Sequence, residues 1–310
     1  MPELPEVQTT VTGLKKLIGL KIIDCWSNYH VGSSHGYKNN IKNRKYFLNF
    51  RKKIIGQKIS SIRRRGKNVL IDLSRKDTIL IHLKMTGHLL YGTYIKNRPR
   101  KTDKPSWENE YWIPKEKNLL DPFNKWVHLV FSMSNGKTLV LSDVRRFAKI
   151  ILLNSTKEKG EFEKLGPDPL KIDSETFEKQ IRKKPSGKIK TVLMNQELIS
   201  GIGNIYSDEI LWYTGVHPEI TVSKITDSSL RKIFNQTRKI LKKSISLGGD
   251  SDSDYRKIDG SKGSFQKHHR VYGKKGLACD KKGCRGIIQR IVIGGRSAHF
   301  CPKHQQIKKG

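Results

Sequence analysis

Acidic side chains are scarce in this chain, with 28 Asp+Glu against 62 Lys+Arg over 310 residues, a formal net charge of +34. That imbalance lies outside ordinary globular composition and calls for a polyanionic partner or surroundings. Nucleic acid attracts such a surface through counterion release at each neutralised phosphate. A Lys-rich composition imposed by an AT-rich genome would raise the same count, so charge alone does not choose a function. Cysteine is scarce as well: four in the whole chain, too few for a disulfide scaffold. Three of them cluster near the C-terminus beside a His, which points to metal in a reducing compartment. No run approaches the roughly 18–20 apolar residues needed to cross a bilayer, and no basic region followed by an apolar run stands at the N-terminus. The expectation is a soluble, unexported protein with no membrane partner. What is present is core-forming material, 35% hydrophobic with 8% aromatic residues, in a chain long enough for two domains.

The texture changes along the chain. Val7, Val11, Leu14, Leu17 and Ile18 recur at helical spacing, with Pro5 near the start and Gly19 after the last periodic position. Residues 46–150 read as strands: NVLIDL (68–73) and TILIHL (78–83) flank a polar turn. In HLVFSMSNGKTLVLSDV, Asn135-Gly136 is the pair expected at a tight hairpin. Two Lys/Asn-rich stretches, 32–45 and 96–125, read as loop insertions. LGPDPL, with two prolines in three residues, suits a stiff connector. Beyond it the period turns helical: 189–196, 204–215, and a long helix from about Ser228 to Leu247. The stretch from Leu247 to Cys279, rich in Gly, Ser, Asp and Lys, is too long for an ordinary connection and reads as a mobile functional loop or a disordered insert. The expected fold class is α+β in two domains: an N-terminal antiparallel β-sandwich flanked by helices (1–160), a linker (161–173), a helical domain (174–278) and a metal-held β-hairpin (279–310).

Cys279, Cys284, Cys301 and His304 are spaced C-x4-C-x16-C-x2-H. Candidate strands flank Gly294-Gly295 between the two pairs, so a hairpin would bring all four ligands to one end. Three thiolates and an imidazole suit a closed, tetrahedral, structural Zn²⁺ site. A finger with so little core would draw much of its folding energy from the metal. His299 is an alternative fourth ligand. Cys25, alone in the apolar IIDCW, reads as core. Arg296 lies at the hairpin tip, where a guanidinium could fork onto a phosphate.

Taken together, MPELPEV, RRRGKNVLIDL (63–73), IHLKMTG (81–87), SDVRRF (142–147), LGPDPL, GIGNIYSDEILW (201–212) and the finger resemble the formamidopyrimidine-DNA glycosylase family. The likeness spans the whole chain in the family's order. Leu4, Met85, Arg145 and Phe147 favour that branch over the related endonuclease VIII branch. The resemblance implies a bifunctional DNA glycosylase and AP lyase excising oxidised purines, chiefly 8-oxoguanine opposite cytosine and formamidopyrimidines. It implies a helix–two-turn–helix element in the second domain, one structural zinc ion, and action as a monomer on double-stranded DNA with oxidised bases or abasic sites. The implied location is the cytoplasm, at the nucleoid if the source is bacterial.

Residue by residue, the resemblance assigns chemistry to the N-terminus. Removal of Met1 would leave Pro2 as a secondary α-amine with a pKa well below a lysine's, partly unprotonated near neutrality and able to attack a sugar carbon. Glu3 would donate and accept protons beside it, and Glu6 would orient the amine. A capping role near the first helical turn competes for Glu6. Lys67 would contact the phosphate flanking the lesion. Damage within a duplex is reached only by extruding the nucleotide. Arg145 would take the vacated space and bond the orphaned cytosine, Phe147 would wedge the stack, and Met85 would fill the remainder. Asn204, following two glycines at a helix start, and Arg296 would hold phosphates. Glu209 would be structural or orient that element, and the segment within 250–272 would cover the lesion. Two features depart from the family finger, which has four Cys and x2 in the first pair: here the first spacing is x4 and the last ligand is His304. The competing readings are an endonuclease VIII-like enzyme for oxidised pyrimidines, separable with thymine glycol duplexes, and a non-catalytic lesion binder, against which intact Pro2, Glu3 and Glu6 argue.

Overall fold

The structure, a computed structural model, describes residues 1–29, 39–97 and 111–307. The insertions expected at 32–45 and 96–125 therefore lie partly outside the described residues. By their internal contacts the described residues form two compact units. The first is Met1–Pro2, Glu6–Phe162 and Gly248–Gly263, and the second is Glu3–Pro5, Glu163–Leu247 and Ser264–Gly310. This division differs from the linear boundaries read from texture, because residues 248–263 pack with the first unit rather than with the helical residues around them.

In the first unit, helix α1 (Leu4–Leu14) runs into a short 3-10 turn, and β1 (Ile22–Ser27) follows. Helix α2 (Arg44–Ile54) was not foreseen from sequence. Its Phe47, Phe50 and Ile54 share one buried face, but they sit among so many Lys, Arg and Asn residues that no helical stripe is legible; the strands expected from residue 46 onward are here a helix. Asn43 caps it, its Oδ1 accepting the Tyr46 N–H at 3.0 Å. Then come β2 (Ile59–Arg65), β3 (Asn68–Leu73), β4 (Thr78–His82), β5 (His88–Gly92), β6 (Tyr94–Asn97), β7 (Tyr111–Pro114), β8 (Val127–Met133), β9 (Thr138–Ser142), β10 (Lys149–Leu153) and helix α3 (Ser155–Phe162). Two antiparallel four-stranded sheets result, in the orders β1-β8-β9-β5 and β10-β4-β3-β2.

One core holds residues from both sheets: Cys25, Leu89, Leu129, Phe131 and Leu141 from the first, and Ile62, Val69, Ile71, Ile79, Ile81 and Ile150 from the second. Val7, Val11 and Leu14 of α1 join it, as does the buried face of α2. Alternate residues serve the other faces, with Leu70, Leu80 and Ile151 in one satellite cluster and Leu90, Val130 and Val140 in another. Burial on both faces explains why these strands read as continuous apolar runs rather than alternating ones. The tight hairpin expected at Asn135-Gly136 is the β8–β9 connection. Met133 N–H donates to the Lys137 carbonyl at 2.9 Å, leaving three residues in the loop with Gly136 at φ 77°, a G1-bulge arrangement.

The second unit contains α4 (Ser174–Arg182), α5 (Ile189–Met194), α6 (Asn204–Thr214), α7 (Asp227–Ser246) and the hairpin β11 (Gln289–Ile293) with β12 (Arg296–Phe300). Its core gathers Phe177 and Ile181 of α4, Val192 and Leu193 of α5, Ile210 and Leu211 of α6, and Leu230, Ile233, Ile240 and Leu241 of α7, together with Leu4. The LGPDPL connector is fastened to this unit: Gly166 N–H donates to Gln196 O at 2.8 Å and Ser200 N–H to Pro167 O at 3.0 Å.

Candidate active site and metal centre

The N-terminal residues are held by specific partners. In the second unit, Leu4 N–H donates to Gly201 O at 3.0 Å and the Ile205 N–H donates to Glu3 Oε1 at 3.0 Å. Gly203 is the residue before helix α6 and has no side chain with which to cap it. Glu3 supplies the missing acceptor, placing a carboxylate on the free N–H groups and positive dipole end of the helix. The glycines make this possible. A Cβ on Gly203 would stand 2.4 Å from Glu3 Cδ, and one on Gly201, at φ 100°, would stand 2.7 Å from Leu4. Glu3 is 3% exposed. Asn204 opens the helix without capping it, and its buried Oδ1 has no hydrogen-bond partner among the described residues. Gln196 ties the turn, donating to Met194 O at 2.7 Å and Ile202 O at 2.8 Å and accepting from Gly201 N–H at 2.9 Å.

In the first unit, Pro2 is buried. The Asp250 N–H donates to Glu6 Oε1 at 2.8 Å and the Tyr255 hydroxyl donates to Glu6 O at 3.0 Å. The segment read as mobile or disordered is in this part packed and bonded: Tyr255 is 4% and Ile258 7% exposed, and Tyr91 N–H donates to Ile258 O at 2.8 Å. Composition concealed this, because isolated Tyr and Ile between Gly, Ser and Asp carry no period. Lys67 lies in the two-residue turn joining β2 to β3, past the last strand pair Arg65 and Asn68, and it is 5% exposed. Nearby His82 is pushed down to about 3, by burial first and then by Lys84, Lys67 and Lys149, so the ring is neutral and its Nδ1 accepts the Lys84 N–H at 3.0 Å.

Met85, Arg145 and Phe147 stand on two loops of the first unit. All three are exposed, Met85 by 37% and Phe147 by 47%, whereas an apolar Met or Phe flanked by strands ordinarily joins a core. The Arg145 guanidinium lies over the Phe147 ring at 4.4 Å. Beneath them Asp143, fully buried, accepts from the Thr86 hydroxyl, from Tyr29 Oη at 2.8 Å and from Ala148 N–H at 2.9 Å. Sequence reasoning named neither Thr86 nor Asp143, although both lie within the motifs KMTG and SDVRRF. A cavity of about 670 Å³ opens among Asn28, Trp112, Trp126, His128 and Arg146 of this unit, and neither Pro2, Glu6 nor Lys67 lines it.

In the finger, ligand atoms of Cys279, Cys284, Cys301 and His304 lie within 4.8 Å of one another. His304 Nδ1 is 3.5 Å from Cys279 Sγ, while its Nε2 stands 3.2 Å from the Trp212 carbonyl. An Nε2–H donated to that carbonyl leaves the Nδ1 lone pair pointing into the sulfur cluster, the second bond that metal-ligating imidazoles ordinarily make. A Cβ on Gly286 would stand 2.4 Å from Cys301 Sγ, so only glycine admits the chain here. The residues present fit a tetrahedral metal ion. His299, the alternative ligand, is engaged elsewhere: its N–H and Nδ1 meet Asp208 Oδ2 at 2.9 and 3.1 Å, and Asp208 also pairs with buried Lys190 at 2.5 Å. Arg296, exposed, follows the Gly294-Gly295 turn of the hairpin. Glu209 on α6 accepts the N–H groups of Arg270, Val271 and Tyr272 at 2.9 to 3.0 Å and so secures the approach to the finger. Burial pushes its carboxyl up from the ordinary range, opposed by those three donors.

Two sequence families match the chain: the Formamidopyrimidine-DNA glycosylase N-terminal domain over residues 1–150 and the Formamidopyrimidine-DNA glycosylase H2TH domain over residues 165–256. The formamidopyrimidine-DNA glycosylase of Streptococcus mutans is 36% identical over 311 residues, covering 99% of this chain and 100% of the relative. That of Bacillus subtilis is 34% identical with the same coverage. Among solved structures, the Lactococcus lactis Fpg in complex with DNA containing an abasic site superposes with TM-score 0.78 at 32% identity, over 98% of this chain and 100% of that one. MutM in complex with DNA containing carbocyclic 8-oxo-G superposes with TM-score 0.77 at 33% identity, over 99% and 100%. A β-sandwich followed by a helix–two-turn–helix element and a four-ligand finger defines a DNA glycosylase of the helix–two-turn–helix class. Within that class, the chain belongs to the formamidopyrimidine-DNA glycosylase family. No helix among the described residues is long and apolar enough to cross a membrane.

Proposed function

We propose that this DNA glycosylase excises oxidised purines, 8-oxoguanine opposite cytosine and formamidopyrimidines, from duplex DNA and then cleaves the strand as an AP lyase. The observation that carries the reading is the anchoring of Glu3 and Leu4 on the Gly201–Ile205 turn, which fixes a carboxylate one residue from the Pro2 nitrogen. With Met1 removed, the Pro2 secondary amine attacks C1′ of the damaged nucleotide and the base departs. Glu3 protonates the sugar O4′, the ring opens, and the nitrogen lone pair forms an iminium with C1′. That cation acidifies the C2′ proton; its loss expels the 3′ phosphate, and a further elimination expels the 5′ phosphate. Glu6, bonded through its Oε1 to Asp250 N–H, orients the amine.

Lys67, Asn204 and Arg296 hold lesion-flanking phosphates, Asn204 through N–H groups at the start of α6. Met85, Arg145 and Phe147, all exposed, fill the space of the extruded nucleotide. The finger ligands hold one Zn²⁺, which supplies the local cross-link that a hairpin with little core requires. The domains divide the work as a catalytic sandwich over 1–160 joined by the packed segment 248–263, a linker over 161–173, a helix–two-turn–helix domain over the rest of 174–278 and a finger over 279–310. The chain acts as a monomer, in the cytoplasm. Glu3→Gln removes the transferable proton while keeping the acceptor for Ile205. It is expected to bind an 8-oxoguanine duplex within about threefold of wild type and to lose base excision by 10²-fold or more, about the worth of a positioned general acid. Wild-type excision rates in Glu3→Gln would contradict the assignment.

A further inference from the structure

The loop carrying Met85 and the loop carrying Arg145 and Phe147 are joined by one polar device. Thr86 Oγ1 donates to Asp143 Oδ1 and accepts the Arg145 N–H at 3.1 Å. A single hydroxyl thus stands next in sequence to one wedge residue and holds the backbone of another. Asp143 closes the arrangement. Its Oδ2 accepts from Tyr29 Oη and from the Ala148 N–H, and its carbonyl accepts the Arg146 N–H at 3.0 Å, so the 143–148 loop winds around its own buried carboxylate. The backbone there is unusual on both sides. Lys84 and Arg146 each adopt φ 55°, a left-handed conformation that non-glycine residues hold only where the surroundings enforce it. A Cβ on Gly87 would stand 2.6 Å from Leu83 O, so the first loop is tight as well. Such a carboxylate and hydroxyl, almost without exposure, do not hold a solvated surface turn together; they fix the separation of exposed side chains that make no other bond between the two loops among those described.

We propose that Thr86 and Asp143 are positioning residues that set opposite-base discrimination: by clamping the two loops they hold Arg145 and Phe147 at a fixed spacing from Met85, ready to replace an extruded nucleotide. The inference rests on the wedge role assigned above. Preorganised spacing matters because the Arg145 fork reads the orphaned base by hydrogen bonds, whose worth falls steeply with misplacement. A loosened clamp leaves the chemistry of Pro2 and Glu3 in place but blurs the distinction between cytosine and adenine opposite the lesion.

The test uses the full-length protein with single-turnover excision of 8-oxoguanine opposite C and opposite A, for wild type, Thr86→Val, Thr86→Ser and Asp143→Asn, with thermal melting of each variant. Thr86→Val keeps the shape and removes both bonds. It is expected to slow excision opposite C by about tenfold and opposite A by less than about twofold, collapsing the C-over-A ratio. Thr86→Ser, which keeps the hydroxyl, is expected to restore the ratio, and Asp143→Asn to lower it if the variant melts as a folded protein. An unchanged C-over-A ratio in Thr86→Val, or an equal loss opposite both bases, overturns the proposal. Failure of wild type to excise 8-oxoguanine from either duplex would instead overturn the functional reading on which it rests.

Discussion

The β-sandwich and the finger both carry exposed side chains on their loops, yet they are held together by opposite means. In the sandwich, the loops with Met85, Arg145 and Phe147 rise from strands whose inward residues, among them Leu89, Leu141 and Ile81, are fully buried in one large core. At the finger, the buried apolar cluster is Cys279, Ile288 and Cys301 with Val271 and Trp212 of α6 packed against them, and two of those five are metal-ligand candidates. Removing apolar surface from water gives roughly 25 cal/mol per Å². A cluster that small cannot offset the conformational entropy of ordering the residues from 279 to 304. The difference teaches where each region is vulnerable: the sandwich to cavities, the finger to loss of its ion.

The largest effect expected is on the finger. Treating the protein with a strong chelator, or replacing Cys301 by Ser, should remove one equivalent of zinc and abolish amide protection across 279–304, since structural zinc contributes on the order of 10 kcal/mol to folding of small fingers. Hydrogen exchange read by mass spectrometry checks this, and a metal-free chain with full protection there would break the comparison. A smaller effect is expected from Leu141→Ala in the sandwich core. It should cost about 2–5 kcal/mol in urea unfolding while zinc content stays at one equivalent. Loss of zinc in that variant would show that the two regions do not fail separately. The smallest effect on stability is expected at Arg296, where the side chain is exposed. Arg296→Ala should shift stability by less than about 0.5 kcal/mol yet lower the slope of log K against log salt for duplex binding by about one unit. An unaltered slope would remove Arg296 from the set of phosphate contacts.

The same contrast governs what the sequence discloses. Strands of the sandwich were legible as apolar runs because both faces are buried, and the finger was legible because ligands must recur at fixed spacing. Helix α2 was not, since Phe47, Phe50 and Ile54 stand in a run dominated by basic residues, and chain-average polarity hides a stripe three residues wide. The packing of Tyr255 and Ile258 was invisible for a related reason: single anchors without a period leave no local mark. At the site, the acids at positions 3 and 6 were singled out only through the family resemblance, and the capping of Ile205 N–H by Glu3 is made across two hundred residues. The choice of His304 over His299 likewise needed geometry, because both stand within reach of Cys301 in sequence and only one faces the sulfur cluster.

The central claim is that the nitrogen of Pro2 is the nucleophile. The most direct measurement is borohydride trapping of the correctly processed protein on a duplex containing 8-oxoguanine, followed by peptide mapping of the adduct. Hydride reduction of the iminium should yield one covalent protein–DNA species, with the deoxyribose remnant on the N-terminal peptide at Pro2. Absence of an adduct, or an adduct mapped to a lysine such as Lys67, would contradict the account.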